Sequence, residues 1–98
     1  PSDMPTRING KMQTYPMIPY FDKQMSAAMQ KRGFAYWSMF QAMGGEGTML
    51  EWINKGWAAN DFIHFSGRGA SIIGEELFKA IMEEYDFYLQ RQAKQQND

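Results

Sequence analysis

His64 is the only histidine in the chain, and Asp61 stands three residues before it in the run Asn60-Asp61-Phe62-Ile63-His64-Phe65-Ser66-Gly67-Arg68-Gly69. On one short loop, that spacing lets a carboxylate turn back to the imidazole Nδ1, fix the tautomer and leave Nε2 free to take a proton. These residue types are two-thirds of a Ser-His-Asp arrangement. A lone histidine near a helix start also has a bland reading, as a polar side chain with a satisfied hydrogen bond. The context favours the catalytic reading: Ser66 is placed to cap a helix, two glycines flank Arg68, and an amphipathic run begins at Ala70. A metal centre is disfavoured, because one histidine and one carboxylate supply too few ligands for zinc and no second histidine completes the set.

The string Asp-x-x-His-Phe-Ser-x-x-Gly leading into a helix resembles the last motif block of the SGNH (GDSL-type) hydrolases, a family of serine esterases and acylhydrolases. Pro1-Ser2-Asp3-Met4, Gly33-Phe34-Ala35-Tyr36-Trp37 and Ala42-Met43-Gly44-Gly45 are similar to the C-terminal half of bacterial members, so the resemblance covers nearly the whole chain. It implies His64 as general base, Asp61 as the residue that orients it, and neither cofactor nor metal. It implies a small-molecule or carbohydrate ester as substrate, foremost O-acetyl groups on carbohydrate or peptidoglycan, with lipid esters open. An exported protein is implied by the same analogy, its signal lying upstream of Pro1. The chain departs from the family in one respect: none of Ser2, Ser26, Ser38, Ser66 and Ser71 follows a Gly-Asp pair. The expectation is therefore a C-terminal fragment that holds the base and its acid without the nucleophile, and is inactive alone.

The elements that must position these residues are bounded first by size and charge. With 98 residues the chain forms at most one domain. An aromatic fraction of 15% is enough to build a core and argues against disorder, while nine Met and no Val suggest soft packing. Ten basic against eleven acidic residues leave no electrostatic footprint for nucleic acid. Cysteine is absent, which excludes disulfides and thiol catalysis. No apolar run approaches the roughly 18 residues of a membrane span.

Along the chain, residues 1–18 contain three of the four prolines together with Asn9-Gly10, and read as an extended approach without a regular element. Asp3 and Arg7 are candidates for lining the site, with a solvated loop as the favoured alternative. Residues 19–32 follow a helical pattern through Phe21, Met25, Ala28 and Met29, with Gly33 as its stop. Residues 34–40 are apolar at nearly every position and read as a strand buried on both faces. Residues 41–47 form a glycine-rich loop in which Gly44 and Gly45 are candidate substrate-side walls, with a plain turn as the alternative. A short helix capped by Thr48 covers 48–55, and Trp57 opens the 57–66 loop as a candidate pocket residue, with packing the more common role for such a Trp. A last helix over 67–92 presents Ile73, Leu77, Ala80, Ile81, Tyr85, Tyr88 and Leu89 as one stripe, and residues 93–98 read as a frayed tail. Glu75, Glu76, Glu83 and Glu84 read as a solvated face.

These elements together predict an α/β fold: the C-terminal part of a three-layer α/β/α, flavodoxin-like domain, mostly helical with one buried strand of parallel type. A rival reading is a small non-catalytic module that self-associates, since a strand without neighbours exposes two edges through which copies could pair.

Overall fold

Asn9 and Gly10 adopt positive φ of 51° and 81°, the pair of left-handed conformations that turns a two-residue hairpin with the natural strand twist. In the computed structural model, which describes residues 1–97, this turn joins β1 (Pro5–Ile8) to β2 (Lys11–Thr14) in antiparallel register, with Pro5 opposite Thr14 and Ile8 opposite Lys11. The irregular approach expected over residues 1–18 is thus corrected to a hairpin. Pro5 sits at the first position of an edge strand, where its missing N–H costs nothing.

A hairpin this short is marginal by itself. It is tied down by Asp3, whose fully buried carboxylate accepts from Thr14 Oγ1 at 2.6 Å and from the Met49 backbone N–H at 2.8 Å. Thr14 Oγ1 in turn accepts from the Gly47 N–H at 2.7 Å. Asp3 therefore caps a helix 46 residues further along the chain. Arg7 instead donates to the Gly10 carbonyl at the exposed turn, so the side-chain hydrogen bonds of Asp3 and Arg7 engage the hairpin and Met49 and not the histidine loop.

Helix α1 (Met17–Lys31) admits Pro19 because the first turn of a helix has unpaired N–H groups. It ends at Gly33, with φ +74°, where the Gly33 N–H reaches the Gln30 carbonyl and the Phe34 N–H the Met29 carbonyl. That is a Schellman stop. Its inward line is Ile18, Asp22, Met25 and Met29, while Phe21 stands exposed, so the apolar face is rotated from the one expected.

The buried strand expected over 34–40 does not form. Residues 34–38 are irregular, and α2 (Met39–Met43) begins after Ser38, whose Oγ accepts the Gln41 N–H. Among the described residues no strand lies beside this segment to satisfy its backbone. Side chains anchor it instead: Tyr36 Oη and Ser38 Oγ donate to the two oxygens of Asp22 at 2.6 and 2.8 Å. The three-layer α/β/α expectation is overturned with it. The described chain is mostly helical, with one two-stranded antiparallel sheet and no parallel pair.

Helix α3 (Thr48–Asn54) follows Gly47, which takes the N-cap position with φ +77°; Thr48 lies one residue inside and donates its hydroxyl to the Gly45 carbonyl. Met43, Met49, Trp52 and Ala58 form one buried cluster of the core, with Phe62, Phe65, Ile72 and Ile73 packed against it. Helix α4 (Gly67–Asn97) is about 46 Å long. It remains helical where a frayed tail was expected over 93–98, of which Asp98 lies outside the described residues. From Ile81 to Gln96 every side chain is exposed, so α4 projects from the body. No helix is long and apolar enough to cross a membrane.

Candidate functional site: the Asp61–His64 loop

Between α3 and α4 the chain makes a tight excursion. Trp57 and Ala58 follow Trp52 through N–H bonds to its carbonyl, and Ala58 then bridges Phe65 in antiparallel fashion. Within that bridge the Ala59 N–H donates to the His64 carbonyl at 2.8 Å, closing a six-residue loop. Phe62 turns the loop by adopting φ +64°, rare for an aromatic residue, and its ring is held by the core. The anchor therefore offsets local strain in the segment that presents the histidine.

Asp61 organises the loop from inside. Its Oδ1 accepts the backbone N–H groups of Ile63 and His64, both at 3.0 Å, and its Oδ2 lies 2.5 Å from His64 Nδ1. The His64 backbone N–H, the His64 ring and the Ile63 N–H together hold the Asp61 carboxyl well below the usual carboxylate range. An ionised carboxylate only accepts hydrogen bonds, so Nδ1 carries the proton and the neutral ring keeps its lone pair on Nε2. The imidazole is 76% exposed, leaving Nε2 open to an incoming group.

The residues that follow fix the loop against α4. Ser66 Oγ donates to the Gly56 carbonyl and accepts the Gly69 N–H, which is the helix cap expected of it. Ser66 is the serine nearest His64 in sequence, and both roles of its oxygen are structural. Gly69 is buried with its Cα against Trp57: a Cβ there would lie 1.8 Å from the Trp57 carbonyl oxygen. Its close approach lays the start of α4 on the strand-like segment that carries the loop.

The other site candidates are not brought to the dyad by any contact. Gly44, with φ +117°, ends α2, and a Cβ on it would press on Thr48 Cγ2 at 2.9 Å. Gly45, with φ +90°, continues that turn and gives its carbonyl to Thr48. Trp57 packs edge-on to Trp52, with ring centroids 5.3 Å apart and Lys55 Nζ 4.7 Å from its own. Its carbonyl accepts the Ser66 N–H at the end of the loop. Among the described residues no three His, Asp or Glu side chains converge as a metal set.

Sequence reasoning missed a second polar cluster, Asp22 with Tyr36 and Ser38, beside an open cleft of about 540 Å³ between α1 and α2. Its only trace in the sequence is Asp22 at the i+4 position from Ile18 on the buried line of α1, which the pattern of apolar residues alone does not reveal. The chain matches no protein-family model, no curated protein and no solved structure.

Proposed function

We propose that the Asp61–His64 pair is the general-base part of a serine ester hydrolase of the SGNH type, acting on small acyl esters such as O-acetyl groups of carbohydrate or peptidoglycan. The observation that carries the proposal is the paired geometry: Asp61 Oδ2 lies 2.5 Å from Nδ1 while the rest of the ring faces solvent. The backbone N–H groups of Ile63 and His64 hold the same carboxylate in place beside the ring. The nucleophile in this reading is a serine hydroxyl supplied from outside these 98 residues, and the chain alone is inactive.

His64 Nε2 accepts the serine proton as that oxygen attacks the ester carbonyl, and returns it to the leaving alkoxide as the tetrahedral intermediate collapses to the acyl-enzyme. Water then attacks the acyl carbon with the same nitrogen as base, releasing the acid and restoring the serine. Asp61 keeps Nδ1 protonated and stabilises the imidazolium formed in each step.

The test is His64→Ala in a protein that includes the nucleophile. Ester turnover should fall by about 10²- to 10⁴-fold, the usual contribution of a positioned base, with an unchanged melting temperature. Unchanged turnover removes His64 from the mechanism.

A further inference from the structure

Two opposite sides of helix α4 meet different surroundings. Successive residues are rotated by about 100° around a helix axis, so Gly69, Ile73, Glu76 and Ala80 share one side, and these are buried or half-buried against the body. Phe78, Met82, Tyr85 and Leu89 share the other side, and are 63, 39, 51 and 45% exposed. Their 4-3-4 spacing is the repeat of a two-helix seam. Nothing within the described chain covers them, and most of a helix's stability in a protein comes from packing such an apolar face.

We propose that this stripe is covered by a second copy of the chain, with the two α4 helices running antiparallel. The sequence of the stripe is complementary to its own reverse. When Phe78 packs on Leu89 of the other copy, Met82 packs on Tyr85, and two-fold symmetry repeats both pairs, so that all four layers are apolar. Along one edge of the seam, Lys79 then faces Asp86 of the other copy, twice. Along the other edge Ile81 faces Tyr88.

A parallel, in-register pair sets Ile81 against Asp86 and gives Lys79 no acid, so the flanking residues select the antiparallel arrangement. Lys79 reaches Glu76 at 3.6 Å within its own helix, an exposed contact that contributes little and does not compete with a second acid. An unrelated partner would have no reason to match this order of charges and apolar residues.

The seam begins about 16 Å along the axis from Gly67. The dimer therefore leaves both Asp61–His64 loops open, at opposite ends, and does not depend on the esterase reading.

Sedimentation equilibrium of the 98-residue chain across the micromolar range tests the proposal. A reversible monomer–dimer equilibrium is expected. Lys79→Glu and Asp86→Lys should each weaken it about tenfold, by facing like charges across the seam, and an equimolar mixture of the two variants should associate about as tightly as the original chain. Met82→Glu should abolish the dimer, and Phe34→Ser, away from α4, should leave it intact. All four positions are exposed, and circular dichroism verifies the fold of each variant. A chain that stays monomeric throughout overturns the proposal, as does a dimer indifferent to Lys79→Glu or a mixture no tighter than its components.

Discussion

At the scale of single residues, two carboxylates do opposite kinds of work. Asp61 is exposed and stays ionised because three donors from its own loop converge on it. Asp22 is buried and serves as the common acceptor for Tyr36 and Ser38, which join the irregular 34–38 segment to α1. Burial, then the hydrogen bond to Asp22 and its negative charge, push the Tyr36 hydroxyl up to about 12. The folded value is the higher one, so the contribution of Tyr36 is complete below the ordinary tyrosine pKa near 10 and is lost as pH rises from about 10 through 12. Urea denaturation across that window should show stability falling with pH, and Tyr36→Phe should flatten part of the fall. At pH 8 the same substitution should cost about 1–2 kcal/mol, because Asp22 loses one donor. A pH profile identical to the original chain would mean that Tyr36 does not hold the segment.

At the scale of elements, the histidine loop depends on how closely α4 meets the segment before it. Gly69 permits that approach, and the atoms facing it belong to the Trp57 backbone, which cannot swing aside as a side chain would. Gly69→Ala should therefore cost about 3 kcal/mol and lower Tm by more than about 10 °C, although alanine is the better helix former. A raised Tm would show that the contact relaxes freely. The expected α3 and α4 lie close to their places in the sequence pattern because each is bounded by local signals, although the cap expected of Thr48 falls to Gly47. Ser66 caps α4 through the Gly69 N–H, and Gly47 and Gly56 bracket α3 with positive φ. The stop of α1 at Gly33 was equally legible. The hairpin was not, although Asn9-Gly10 is its strongest short-range signal, because the surrounding prolines argue against a ladder unless they fall on its edge.

At the scale of the whole molecule, the described residues extend over 61 × 29 × 14 Å, a shape set by the projecting half of α4. The body is stitched together by contacts distant in sequence. Asp3 joins the hairpin to the N-terminus of α3 through Thr14 and the Met49 N–H. Asp3→Ala leaves a helix N–H and a hydroxyl without their acceptor in a buried place, and should destabilise by about 2–3 kcal/mol. Combined with Thr14→Ala the loss should fall short of additive, since the two side chains form one network. Strict additivity in denaturant melts would place them in separate interactions.

The sequence by itself determined what is built from neighbours a few residues apart. The Asp61–His64 pairing, the Ser66 cap and the Gly33 stop each close over three to five residues, so the residue types and their spacing carry the geometry. Only the tertiary structure decided what depends on distant partners. Residues 34–40 are apolar enough for a buried strand, yet a strand needs a neighbour to satisfy its backbone, and here Asp22 supplies side-chain anchors instead. Asp3 reads as a loop residue until Met49, 46 positions away, makes it a cap. Likewise the apolar residues of α4 read as one stripe in the sequence, and the fold divides it, placing Ile73 against the core and Tyr85 in solvent. The physical reason is that apolar periodicity records which residues share a face, whereas burial requires a second surface to meet that face.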